Sequence, residues 1–164
     1  EPPQVIVLWG PSGSGKTRDA YRMAGDDYFE VQPKKGSGLY FDGYTGEKTM
    51  IFDEFHGNWM AYTFIKRLLD RTPLLLPVHG GAGVQIQSST LIFTSNQPPD
   101  QWYKESTGGP WANSPLKRRL DEFADVIYMG AEGPNAKSEA DYRIEIQRQP
   151  LVADQNGVLW AGNN

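Results

Sequence analysis

An α/β fold with a mostly parallel central sheet is predicted by three features of the 164-residue sequence. Short apolar runs alternate with stretches of helical spacing, the pattern of strands joined by crossover helices. The first apolar run, Val5–Trp9, is continuous rather than alternating, as in a strand buried on both faces. It leads directly into Gly10-Pro11-Ser12-Gly13-Ser14-Gly15-Lys16-Thr17, whose spacing of Gly10 and Gly15 before Lys-Thr matches a phosphate-binding loop set between strand and helix.

The loop chemistry follows from the residue types. Glycines let the backbone curl so that successive N–H groups converge on phosphate oxygens. A helix beginning near Lys16 adds the positive end of its dipole. Lys16 is expected to reach the β- and γ-phosphates, and the Thr17 hydroxyl to ligate Mg²⁺.

The remaining elements follow in order. Pro2-Pro3 marks Glu1–Gln4 as a linker. Thr17–Ala24 reads as a helix, with Arg18, Asp19 and Arg22 on its exposed face and Gly25-Asp26-Asp27 ending it. Tyr28–Val31 is a short strand, and Pro33–Gly38 a basic, glycine-rich loop. Thr49–Phe52 is an apolar strand that stops at Asp53-Glu54. From Trp59 to Asp70 the spacing turns helical, with Met60, Phe64 and Leu68 on one face beside Ile65 and Leu69. Leu74–Val78 and Val84–Gln87 flank a glycine-rich tip, His79-Gly80-Gly81-Ala82-Gly83, and read as a hairpin. Thr90–Thr94 is a strand stopping at Ser95-Asn96. Ser114-Pro115 opens a helix whose apolar face is Leu116, Leu120, Phe123 and Ala124, and Val126–Met129 is a last core strand. In 131–164 only Tyr142–Ile146 reads as a strand.

Composition sets bounds. The length suits one domain with a genuine core. The start at Glu1 suggests a piece of a longer protein. Without cysteine, disulfides and thiolate metal sites are excluded. No apolar run approaches a membrane span and no secretory segment opens the chain, so a soluble, intracellular domain is expected. The net charge of −4 neither supports nor excludes a nucleic-acid partner, because affinity depends on where cations such as Lys34-Lys35, Lys66-Arg67 and Lys117-Arg118-Arg119 sit.

Hydrolysis needs more than a phosphate loop. Asp53-Glu54 ends a strand, the usual place for ligand groups in open parallel sheets. One carboxylate can hold Mg²⁺ and the other orient or deprotonate a water. Asn96 also ends a strand, where its amide could donate to a γ-phosphate. Asn is common at such ends simply because it tolerates turns. Arg118 and Arg119 lie on the helix opened by Ser114-Pro115. An arginine delivered to the γ-phosphate contributes on the order of 10³–10⁵ in rate, and a neighbouring subunit can supply it.

Taken together, Gly10–Thr17, Ile51-Phe52-Asp53-Glu54-Phe55, Val78-His79-Gly80-Gly81, Leu91–Asn96 with Gln97, and Arg118-Arg119 resemble the helicase domain of circovirus-type replication initiators. These are superfamily 3 helicases within the AAA+ ATPases, of viruses with small circular single-stranded DNA genomes. The segments correspond, in order, to Walker A, Walker B, the B′ hairpin, motif C and an arginine pair, and the resemblance covers roughly residues 5–130. It implies a three-layer P-loop NTPase with an inserted β-hairpin and with the motif C strand between the other two motif strands. It implies an ATP- and Mg²⁺-dependent helicase in rolling-circle replication, forming homo-hexameric rings in which Arg118 or Arg119 reaches a neighbour's nucleotide. The hairpin residues His79, Gly80 and Gly81 would grip single-stranded DNA, with more of that grip falling to the Gly80-Gly81 backbone or to Lys66 and Arg67 where His79 is neutral. An N-terminal nicking endonuclease is expected in the full-length chain, and the host nucleus as its location. His79 stands where relatives often have Lys, which removes fixed charge from that grip. Residues 1–130 would be the ATPase core and 131–164 an extension of unknown role. Competing readings are a small-molecule kinase, a nucleotide-gated assembly switch and an RNA helicase of the picornavirus type.

Overall fold

The computed structural model describes residues 3–33, 38–70, 73–103 and 114–130, with two short strands at 151–153 and 159–161. Five strands form one parallel sheet: β1 (Gln4–Trp9), β2 (Tyr28–Glu30), β3 (Thr49–Phe52), β6 (Thr90–Ser95) and β7 (Ala124–Tyr128). Their order is β2-β3-β6-β1-β7. Strand β6 therefore separates β1 from β3, as the resemblance implied. The register aligns Trp9 with Ser95 and Phe93 with Phe52.

Alternation along β1 divides the interior. Val5, Val7 and Trp9 face one core and Ile6 and Leu8 the other. Helix α1 (Lys16–Ala24) closes the second face with Ala20 and Met23. Helices α2 (Tyr62–Leu68) and α3 (Pro115–Phe123) close the first with Ile65, Leu68, Leu116 and Leu120. Each fully buried large side chain, Phe93 and Ile92 among them, contributes roughly 1.5–3 kcal/mol relative to an exposed one. The result is three layers, helix on sheet on helix.

Several sequence expectations need correcting. The helix expected from Trp59 is broken: a 3₁₀ turn spans Gly57–Trp59, Met60 and Ala61 are extended, and α2 begins only at Tyr62. The extended Met60 buries its side chain and offers its carbonyl to Tyr103 Oη at 2.8 Å. Helix α1 begins at Lys16, one residue early, and Asp19 is buried rather than on the exposed face, covered by the Arg18 guanidinium at 3.4 Å. Ala124 opens β7 opposite Val5 instead of completing the helix face. Ser114 does cap α3, its hydroxyl accepting from Lys117 N at 3.1 Å.

The hairpin forms outside the main sheet from β4 (Leu75–Leu76) and β5 (Val84–Gln85), shorter than expected, with Ile86 N–H donating to Leu74 O at 2.9 Å. A second antiparallel pair, β8 (Leu151–Ala153) and β9 (Leu159–Ala161), corrects the expectation of a single strand after residue 130. Asn156-Gly157 between them is a hairpin signal that the short flanking runs obscured. Tyr142–Ile146 lies outside the described residues, as does the Lys34-Lys35 pair.

Candidate active site at the carboxyl edge of the sheet

The phosphate-loop sequence leaves the carboxyl end of β1. Gly10 N–H donates to Ser95 O at 3.0 Å. Its φ is +154°, and a Cβ there would stand 2.5 Å from the Met129 carbonyl oxygen, so only glycine lets the loop start this close to β7. Gly15, at φ +89°, turns the chain into α1. Lys16 follows, 7% exposed, with Nζ donating to Pro11 O at 2.8 Å and lying 3.5 Å from Ser14 Oγ. Burial holds the ammonium below the usual lysine pKa, and the charges of Asp53 and Glu54 partly oppose that shift. An ammonium so placed gains from any anion brought into the loop.

Beside the loop, the end of β3 supplies the carboxylates. Thr17 Oγ1 donates to Asp53 Oδ1 at 2.8 Å, joining the first turn of α1 to β3. The same carboxylate oxygen accepts from Thr94 Oγ1 at 2.6 Å. Mg²⁺ is characteristically held by one or two protein oxygens together with substrate phosphates. Thr17 and Asp53 are a donor pair of that kind, so the residues present fit the ion.

Glu54 follows at φ +58°, the only non-glycine residue with positive φ among those described. Its N–H donates to Thr94 Oγ1 at 2.8 Å. Nearby, Tyr21 on α1 donates its hydroxyl to Glu30 at the end of β2. Burial first, then the Glu30 hydrogen bond and the charges of Glu30 and Asp53, push the phenol well above its ordinary pKa.

Asn96 emerges from β6 immediately after Ser95, whose partner in β1 is Trp9. It is exposed and lines a cleft of about 380 Å³ with Glu30, Gln32, Asp53, Glu54 and His56. The carboxylates from β3 and the amide from β6 thus share one cleft; no residue of Gly10–Thr17 lines it, and the loop is joined to it through Thr17 and Asp53.

The two arginines part company. Arg119 donates from Nε to Asp70 Oδ1 at 2.7 Å, from Nη2 to Asp70 Oδ2 at 3.3 Å and from Nη1 to Pro115 O at 3.2 Å. Arg118 is exposed and makes no ion pair with the described residues. Neither lines the cleft.

At the exposed hairpin tip with Gly80 and Gly81, His79 is held in place: its N–H donates to Asp42 Oδ1 at 2.8 Å, Nδ1 meets Asp42 Oδ2, and the ring stacks on Tyr40 at 3.7 Å. Lys66 lies on α2 with Nζ 4.8 Å from the Tyr62 ring centroid, and Arg67 is exposed beside it.

Sequence reasoning missed Thr94 and Tyr40, and gave Asp42, noted in the segment Phe41-Asp42-Gly43-Tyr44, no role. A buried hydroxyl pair, Thr94-Ser95, closing an otherwise apolar strand was the available signal for Thr94. Asp42 and Tyr40 become neighbours of His79 only through tertiary folding.

A family model described as RNA helicase matches residues 6–97. The replication-associated protein of Beak and feather disease virus is 42% identical over 102 residues, covering 62% of this chain and 33% of that protein. That of Goose circovirus is 41% identical over 121 residues, covering 73% of this chain and 38% of that protein. The genome polyprotein of Southampton virus is 30% identical over 107 residues, 58% of this chain and 6% of the polyprotein. The aligned stretch spans about a third of the circovirus relatives.

Proposed function

The chain belongs to the RNA helicase family, and from that premise we propose that it is an ATP-hydrolysing motor acting on single-stranded DNA in viral replication. The observation that carries the ATPase reading is that Asp53, bonded to Thr17 at 2.8 Å, shares one cleft with Glu54 and Asn96. Replication-associated proteins of circoviruses, resembled over this stretch, support DNA as the track.

In this reading Gly10 and Pro11 open the loop, and the N–H groups of Ser12, Gly13, Ser14 and Gly15 with the Lys16 ammonium bind the phosphates of ATP. Thr17 and Asp53 would hold Mg²⁺, which would supply stabilisation of the developing phosphate charge. Glu54 orients the attacking water and accepts its proton. Asn96 donates to the γ-phosphate without adding charge. The arginine supplied to a neighbour's nucleotide is Arg118, because Arg119 is committed to Asp70. That assignment requires self-association, proposed as a homo-hexameric ring. Hairpin residues His79, Gly80 and Gly81, with Lys66, contact single-stranded DNA.

Residues 1–130 would form the ATPase core and 131–164 an extension. In the full-length protein an N-terminal nicking endonuclease would precede the core, acting in rolling-circle replication in the host nucleus. None of the described helices is long and apolar enough to cross a membrane. An RNA track is favoured by the description of the matching family and by the resemblance to a viral genome polyprotein. Binding of matched DNA and RNA oligomers separates the two. Stronger binding of DNA, with DNA-stimulated hydrolysis, is expected. Preference for RNA would overturn the choice of track but not the ATPase.

A further inference from the structure

Thr94 is the next-to-last residue of β6 and is fully buried. Its hydroxyl donates to Asp53 Oδ1 at 2.6 Å and accepts from Glu54 N–H at 2.8 Å. Its carbonyl accepts from Phe55 N–H at 2.7 Å. Three consecutive residues of the carboxylate turn are thus fastened to one threonine. The turn needs such fastening. Glu54 sits at φ +58°, a conformation that a residue with a Cβ holds only when its surroundings fix it.

The next residue completes the clamp. Ser95 Oγ donates to Phe55 O at 3.0 Å, and Trp102 Nε1 donates to Ser95 Oγ at 3.0 Å. Asn96 follows directly, so the amide-bearing and carboxylate-bearing ends are tied through two buried hydroxyls.

We propose that Thr94 is a positioning residue: its hydroxyl aims the Asp53 carboxylate and holds the Glu54 backbone in the left-handed turn. This rests on the ATPase reading for its consequence in turnover. Asp53 Oδ1 accepts from both Thr17 and Thr94. The Thr94 bond would keep the carboxylate aimed if Thr17 gave up its own bond to Asp53 to hold a cation. Thr94→Val keeps the shape, deprives the Glu54 N–H of its acceptor and leaves Asp53 held by Thr17 alone.

The test compares Thr94→Val and Thr94→Ser in the full chain, with Thr94→Ala standing in if the valine variant does not fold. Three quantities are read: steady-state ATP hydrolysis, Mn²⁺ affinity in the presence of ADP by electron paramagnetic resonance, and hydrogen exchange at the Glu54 amide without nucleotide. Thr94→Val should lower kcat about 30-fold or more, with KM for ATP within about threefold, as expected when an interaction made in the transition state is lost. It should weaken Mn²⁺ about tenfold, within the range for loss of a partner that orients a metal ligand. Glu54 exchange should rise while Phe55 exchange does not. Thr94→Ser should keep all three near wild type. Wild-type kcat and Mn²⁺ affinity in the valine variant, or a serine variant as impaired as the valine one, would overturn the proposal. If wild type shows no Lys16-dependent hydrolysis, the ATPase reading fails by itself. Glu54 exchange then decides Thr94: an unchanged rate in Thr94→Val overturns it, and a raised rate rescued by serine supports it.

Discussion

Arg119 grips both carboxylate oxygens of Asp70, at 2.7 and 3.3 Å, tying α3 to the residues that follow α2. Arg118, one residue earlier, remains exposed. Arg119→Ala should therefore cost stability, about 1–2 kcal/mol for a partly buried bidentate pair, read as a lower urea midpoint. Arg118→Ala should leave that midpoint unchanged and lower hydrolysis by the assembled protein at least about 10³-fold. Stability loss in Arg118→Ala with unchanged turnover would reverse the assignment.

On the proposed reading, Lys16 should make nucleotide binding proton-linked. Its pKa lies below the usual lysine value because burial disfavours the ammonium. In the window between the lowered value and the ordinary 10.5, the unfolded chain binds more protons than the folded one, so this group makes stability rise with pH there. A bound triphosphate favours the charged form. In that window binding of ATP should take up protons, read by calorimetry in buffers of different ionisation enthalpy. Proton release, or no buffer dependence, would contradict the electrostatics described for the loop.

Gly10→Ala should destabilise the protein because its methyl would meet the Met129 carbonyl at 2.5 Å in a backbone conformation that favours glycine. Strain of this kind costs about 1–3 kcal/mol before the overlap is relieved. A urea titration reads it directly. A variant as stable as wild type would mean that the start of the loop can shift away from β7.

His79 depends on Asp42 for its position at the hairpin tip. His79→Ala and Asp42→Ala should each weaken single-stranded DNA binding several-fold, measured by fluorescence anisotropy, while basal hydrolysis stays nearly intact. Unchanged DNA affinity in both variants would remove the hairpin from the interface.

The sheet and the edge carrying the site were legible because continuous apolar runs are strands, and their polar last residues mark the edge where ligand groups project. Asp53-Glu54 and Asn96 were visible in that way, and Gly10–Thr17 by its glycine spacing before Lys-Thr. What periodicity could not disclose were choices made by tertiary contacts. Met60 leaves the helical pattern to pack against Tyr103. Arg119, not Arg118, finds Asp70 across a separation of 49 residues. Thr94 looked like one more strand residue, since its two hydroxyl partners come from the turn after β3, 41 and 40 residues away.

The most direct measurement is ATP hydrolysis by the wild-type chain with and without single-stranded DNA, beside Lys16→Ala and Glu54→Gln. Wild type should turn over ATP and accelerate with DNA. Lys16→Ala should fail to bind nucleotide, and Glu54→Gln should bind it yet hydrolyse at least about 100-fold more slowly. Wild-type turnover no greater than that of Lys16→Ala would contradict the assignment of this sheet edge to ATP chemistry.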